Sequence, residues 1–124
     1  MSRIRQKDMK PEMLVRRLIF SLGYRYRLHA KDLPGKPDIV FRKSQKVIQV
    51  NGCFWHQHPN CKDGHVPKTR QEYWIPKLQR NVKRDTENIK ALHALGWKTL
   101  VIWECETNEI KQLEQKIIHF LTKA

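Results

Sequence analysis

The sequence predicts a small α/β domain, a mixed sheet flanked by helices, and three observations carry that expectation. Short runs rich in β-branched residues alternate with stretches of helical periodicity in the order α β β β α β α, with no internal repeat. The 124 residues are 40% hydrophobic and include four Trp and four Phe, enough apolar material for one modest core. Glycine and proline punctuate the boundaries between the runs. A single domain over residues 1–124 is expected, with residues 1–10 as a short N-terminal arm.

Each element has a local reason. Pro11 and Glu12 open a stretch with apolar Met13, Leu14, Leu18, Ile19 and Leu22, and Gly23 stops it, so a helix is predicted over about 11–22. Tyr24 to His29 alternates aromatic or apolar residues with arginine, the pattern of a half-buried strand. Asp32 to Pro37 contains two prolines and a glycine and must turn. Asp38–Phe41 and Lys46–Val50 read as two strands of a hairpin joined by the polar Arg42–Gln45 segment. Gly52 to Pro67 has no periodicity and is predicted to be a long loop of the kind usually kept for function. Leu78, Val82, Ile89 and Leu92 fit a helix over about 71–95 ended by Gly96, with Pro76 in its first turns. Trp97–Trp103 is a short buried strand and Ile110–Leu121 a closing amphipathic helix.

Charge narrows the function. The formal net charge is +13, and by segment it is +7 over 1–36, +2 over 37–66, +5 over 67–98 and −1 over 99–124. A field concentrated at the front and middle favours a polyanionic partner, nucleic acid first, because each phosphate neutralised by Lys or Arg releases counterions. The longest apolar run, Leu100–Trp103, is far below the roughly 20 residues of a membrane span, so no membrane partner is expected. The charged segment Met1–Asp8 has no apolar run behind it, so no export is expected either.

Cys53, His58 and Cys61 follow C-x4-H-x2-C spacing, and Cys105 follows the last strand. Three thiolates and an imidazole are the usual complement of a structural tetrahedral zinc site, which would tie the long loop to the end of the fourth strand. His56 and His65 are alternative ligands, and three unrelated buried thiols are the bland alternative. Asp38 opens a strand, where a solvated strand-end carboxylate is the ordinary reading. With Glu12 on the first helix and His56 in the loop, it would instead supply acidic oxygens for Mg²⁺ and a proton carrier, the needs of a phosphodiester nuclease. Phe54–Trp55 is either a local plug or a pair that stacks on or wedges between bases. Lys77, Asn81, Arg84 and Asn88 recur at helical spacing as one polar face, solvated by default and groove-facing in the sharper reading. His29, His93 and His119 are read as structural.

Asn51-Gly52-Cys53-Phe54-Trp55-His56-Gln57-His58 resembles the very short patch repair (Vsr) mismatch endonuclease family. Similar motifs are Ile4-Arg5-Gln6-Lys7-Asp8 through Pro11-Glu12, Leu33-Pro34-Gly35-Lys36-Pro37-Asp38, Tyr73-Trp74, Lys77, Asn81-Val82, Arg84-Asp85, Leu95-Gly96-Trp97 and Trp103-Glu104-Cys105. The resemblance implies a restriction-endonuclease-like fold and a Mg²⁺-dependent, zinc-stabilised enzyme that nicks one strand of double-stranded DNA beside a T:G mismatch, leaving 5′-phosphate and 3′-hydroxyl ends. It implies Asp38 as a Mg²⁺ ligand with the backbone carbonyl of Val50, His56 as general base or acid, and Glu12 orienting water or metal. It implies zinc on Cys53, His58, Cys61 and Cys105. Met1, Phe54 and Trp55 match the family's wedge, Lys77 and Asn81 match positions facing the mismatched pair, and Arg84 is expected to bind DNA beside them. A cytoplasmic monomer of bacterial type, with repair proteins as potential partners, is the implied setting. The sequence departs from the pattern at Asn51, where well-known members have His, in the short arm, and in a His58–Cys61 interval one residue longer. A restriction-type enzyme acting on matched DNA and a non-catalytic zinc-stabilised DNA-binding module are the competing readings.

Overall fold

The computed structural model describes residues 10–59, 64 and 66–123; Met1, Cys61 and His65 lie outside them. Helix α1 spans Pro11–Ser21, and strands β1 (Arg27–Leu28), β2 (Ile39–Phe41) and β3 (Lys46–Asn51) follow. Helix α2 (Gln71–Ala94) leads into β4 (Lys98–Trp103), a short 3₁₀ turn at Glu104–Asn108 and helix α3 (Ile110–Thr122). The element order is the predicted one. Pro11 occupies the first helical turn of α1, where its missing N–H costs nothing. Gly23 and Gly96 follow α1 and α2 with φ of +94° and +88°, backbone that a side chain would resist.

One four-stranded sheet has the order β1-β2-β3-β4. The first three strands pair antiparallel, with Arg27 opposite Val40 and Ile39 opposite Ile48. β3 and β4 run parallel, with Val50 beside Ile102 and Asn51 beside Trp103. Because side chains alternate across a strand, β2 and β3 feed both faces. Ile39, Phe41 and Ile48 join Val15, Ile19, Leu113 and Ile117 in a core under α1 and α3. Val40 and Val47 join Ala30, Leu33, Leu92 and Trp97 in a second core on the other face, under the C-terminal end of α2. β2 is therefore buried at all three positions, which is why it reads as a continuous apolar run.

The first strand is shorter than the alternation over Tyr24–His29 suggests. Only Arg27 and Leu28 pair with β2. Tyr24 and Tyr26 pack against the first core instead, and the Tyr26 hydroxyl donates to the Arg16 carbonyl of α1 at 3.2 Å. His29 leaves the strand with φ +48° while its N–H donates to the Asp38 carbonyl at 3.1 Å.

β3 opens with a buried cation. Lys46 is 4% exposed, and its ammonium donates to the carbonyls of Phe120 at 2.8 Å, Leu121 at 3.1 Å and Lys123. These are carbonyls at the end of α3, left without helical partners, so the charge caps the helix where its dipole is negative. Lys46→Met should lower the melting temperature by about 5 °C or more, since charge-assisted bonds are lost and carbonyls are left buried. Thermal unfolding followed by circular dichroism checks this, and an unchanged transition would remove the cap from the account.

Candidate active site

The hairpin brings the start of β2 and the end of β3 to one end of the sheet, at the rim formed by its strand termini. There the Val50 N–H donates to Asp38 Oδ2 at 2.8 Å. Burial pushes the Asp38 carboxyl above its usual pKa; the Val50 bond opposes the shift, the Glu12 carboxylate adds to it, and His29 and His56 oppose it. Glu12 reaches this rim from the first turn of α1, with Oε2 3.4 Å from an Arg16 guanidinium nitrogen and 3.4 Å from His29 Nε2.

Asp38 also lines a cavity of about 180 Å³ shared with Lys36, Gln49, Val50, Asn51, His56, Asp85 and Asn88. His56 comes from the loop after β3, which folds back on itself as the His56 N–H donates to the Gly52 carbonyl at 3.2 Å and the His58 N–H to the Cys53 carbonyl at 3.0 Å. Its Nδ1 pairs with Asp85 Oδ2 from α2. A carboxylate on Nδ1 fixes the ring and its tautomer, leaving Nε2 to exchange a proton. The cavity therefore combines a half-buried carboxylate with an oriented histidine, a pairing suited to metal-assisted hydrolysis.

A second cluster lies behind the loop. His58 Nδ1 sits 3.7 Å from Cys53 Sγ and 3.4 Å from Cys105 Sγ, and the three ligand atoms lie within 4.8 Å of one another. In a tetrahedral site a sulfur at about 2.3 Å and a nitrogen at about 2.0 Å from one ion are about 3.5 Å apart, so the spacing suits a shared metal. Trp103 stacks on the His58 ring, 4.3 Å between centroids and 13° between planes. Gly64 approaches so closely that an added Cβ would lie 2.3 Å from the His58 carbonyl oxygen, so only glycine fits there. Cys61 falls outside the described residues.

Beside the cavity, aromatic rings gather. Phe54 meets Trp55 at 5.1 Å and Trp74 at 5.4 Å, and Tyr73 meets Trp74 at 4.9 Å. Trp55 is 45% and Tyr73 54% exposed. Lys77 Nζ stands 5.4 Å from both the Trp55 and the Tyr73 ring centres, and the Asn81 amide donates to the Trp55 carbonyl at 3.3 Å. The polar face of α2 thus divides: Lys77 and Asn81 serve the aromatic lip, Asp85 and Asn88 the cavity, and Arg84 is exposed to solvent.

The structure brings Asp38, Val50 and His56 to one cavity with Glu12 beside Asp38, separately gathers Cys53, His58 and Cys105, and places Phe54, Trp55, Lys77 and Asn81 on one lip. Sequence reading gave three contributors no role in the site. Asp85 lies four residues after Asn81 and eight after Lys77, so helical spacing already put it on the same face. Trp74 joins Phe54 and Trp55 only through tertiary packing. His29, read as structural, faces Glu12, because β1 ends early and the chain turns toward Asp38. His93 and His119 occupy the last turns of α2 and α3.

The raised Asp38 pKa has a stability consequence. A carboxylate whose folded pKa exceeds its unfolded one leaves stability highest below the unfolded value and lower once pH has risen through the folded value. Asp38→Asn should therefore raise the melting temperature of the protein in EDTA by about 2–4 °C at pH 7 and leave it unchanged below pH 3.8. Calorimetry at the two pH values checks the sign; a destabilised variant at pH 7 would contradict it.

Comparison with known proteins identifies the family and the fold. Residues 1–63 match the family model of the DNA mismatch endonuclease Vsr. The chain is 47% identical over 121 residues to the type II nicking enzyme V.XorIIP of Xanthomonas oryzae, covering 98% of this chain and 88% of that one. It is 40% identical over 105 residues to the DNA mismatch endonuclease Vsr of Escherichia coli, covering 85% and 67%. The fold is shared with the catalytic domain of the homing endonuclease I-Bth0305I, with a TM-score of 0.64 at 21% identity over 90% of this chain and 93% of that one. The family model spans half of the sequence and the Xanthomonas relative nearly all of it, so the chain belongs to the Vsr DNA mismatch endonuclease family.

Proposed function

We propose that this endonuclease nicks one strand of double-stranded DNA at T:G mismatches by Mg²⁺-dependent phosphodiester hydrolysis, leaving 5′-phosphate and 3′-hydroxyl ends. The observation that carries the reading is the shared cavity in which Asp38 and the His56–Asp85 pair face the same space, with exposed Trp55 and Lys77 beside it. The relatives' names, a mismatch endonuclease and a nicking enzyme, support the substrate and the single-strand outcome.

Asp38 and Glu12 offer carboxylate oxygens, the donors that Mg²⁺ prefers, and the Val50 carbonyl is the proposed third oxygen. Mg²⁺ bound there supplies charge stabilisation at the phosphate and a lower pKa for attacking water. His56, held through Nδ1, takes the proton from that water as its oxygen bonds to phosphorus. The bond from phosphorus to the 3′ oxygen breaks, and that oxygen takes a proton from solvent water. Phe54, Trp55 and Trp74, with Met1 from the arm, form a wedge that tests how easily a base step opens; a wobble pair stacks and pairs less firmly than a matched one and opens at lower cost. Lys77, Asn81 and Arg84 hold the duplex, the lysine and arginine as counter-charges to phosphate. The protein acts as a monomer in the cytoplasm, and repair proteins that process the nick are its expected partners.

Zinc is the proposed ion for the second cluster, held by Cys53, His58, Cys105 and Cys61. It would fasten the loop that carries His56 to the end of β4, replacing an apolar core that this loop lacks.

Two outcomes test the reading. Asp38→Ala should lose nicking of a T:G duplex by more than about a hundredfold while binding the duplex within about threefold of wild type. Strand-specific cleavage of end-labelled T:G and C:G duplexes with Mg²⁺ or EDTA checks both metal and mismatch dependence; equal cutting of matched DNA would move the enzyme to restriction type. Cys105→Ser should release about one zinc per chain and lower the melting temperature by about 10 °C or more. Metal analysis with calorimetry checks this, and a zinc-free wild type of normal stability would contradict a structural ion.

A further inference from the structure

Asp38 has neighbours that do not line the cavity. Glu12 from α1 and His29 from just beyond β1 stand beside it, and the ligand atoms of the three all lie within 4.8 Å of one another. His29 Nε2 is 3.4 Å from Glu12 Oε2. The backbone N–H of His29 is bonded at 3.1 Å to the carbonyl of Asp38, so the imidazole is carried at the same end of the sheet as the carboxylate. The His29 side chain is 53% exposed, so it is reachable by an ion from solvent.

The donor set decides what such a trio can hold. Donors bound to one ion at about 2.1 Å lie about 3 Å apart when adjacent and about 4.2 Å when opposite, so the three side chains must draw together as they take up an ion. Two carboxylate oxygens alone form a hard site that suits Mg²⁺. Adding an imidazole nitrogen shifts preference toward first-row transition ions, since Mn²⁺ accepts mixed nitrogen and oxygen ligands while Mg²⁺ sheds water for nitrogen reluctantly.

We propose that His29 is a third side-chain ligand, with Asp38 and Glu12, of the catalytic divalent ion, and that it makes the site prefer Mn²⁺ over Mg²⁺. The inference rests on the reading of Asp38 as a metal-holding residue. An ion pair of His29 with Glu12 that never touches metal is the alternative the test must separate.

Mn²⁺ is the probe, added to the full-length chain purified with zinc so that the cysteine cluster is occupied. Pulsed electron paramagnetic resonance reads nitrogen bonded to the manganese, and calorimetry reads affinity. Wild type should show coupling to one imidazole nitrogen. His29→Gln should lose that coupling and bind Mn²⁺ about tenfold more weakly, with Mg²⁺ affinity changed by less than about threefold. His56→Gln should keep the coupling, which separates the two histidines. Circular dichroism confirms that both variants fold; should His29→Gln fail to fold, nitrogen-15 labelled histidine in wild type and in His56→Gln carries the same comparison. Coupling that persists in His29→Gln or vanishes in His56→Gln overturns the proposal. Asp38→Asn distinguishes the layers: Mn²⁺ affinity lost in that variant with no nitrogen coupling in wild type defeats His29 alone, whereas affinity unchanged by Asp38→Asn defeats the metal site and His29 with it.

Discussion

The bond from the Val50 amide to the Asp38 carboxylate is the constraint on which the rest of the site depends. It joins the start of one strand to the end of the next and holds a half-buried charge where two helices and a loop can reach it. Burial opposes that charge and a backbone N–H sustains it, so the carboxylate is kept at a cost to the fold. Such a cost persists where function needs the group. The antiparallel pairing of β1, β2 and β3 sets its geometry: Asp38 and Val50 come together at the open end of the hairpin, away from its Arg42–Gln45 turn, and the end of β1 brings His29 beside them.

Helix α2 completes the arrangement from the opposite face of the sheet. Its C-terminal part is anchored by Leu92 in the second core, and its middle presents Asn88, Asp85, Asn81 and Lys77 in succession along one side. The close approach of α2 to the turn before Asp38 requires a residue without a side chain, since a Cβ on Gly35 would lie 2.9 Å from the Asn88 amide nitrogen and the backbone there has φ +75°. The loop after β3 is the remaining piece. It carries Phe54, Trp55 and His56 between Cys53 and His58, so whatever fixes the cysteine and histidine pair also fixes the aromatic lip and the histidine of the cavity.

Much of this was legible in the sequence because the signals were local. Period-two runs and their turns placed β2 and β3, and the spacing of Leu78, Val82, Ile89 and Leu92 placed α2 almost to its ends. Cys53, His58 and Cys105 were legible as a cluster, although only the parallel pairing of Asn51 with Trp103 explains why Cys105 arrives beside Cys53. What was hidden depended on tertiary pairing. Alternation over Tyr24–His29 gives no hint that only two residues pair, or that His29 turns toward Glu12. Trp74 is a helical aromatic like any other until Phe54 and Trp55 pack against it. Lys46 reads as a polar strand opener, and its role as a cap appears only when α3 ends above it.

Electrostatics link the fold to the proposed chemistry. A chain of net charge +13 favours a polyanion at its surface, while the cavity holds the carboxylates Asp38 and Asp85, so in the proposed mechanism binding and reaction fall to different residues. The central claim is that Asp85 holds His56 in the form that removes the proton from water. Single-turnover nicking of a T:G duplex by Asp85→Asn, measured against pH beside wild type, tests it most directly. The account predicts a rate lower by about a hundredfold or more with duplex affinity unchanged; an unaltered rate and pH profile would contradict it.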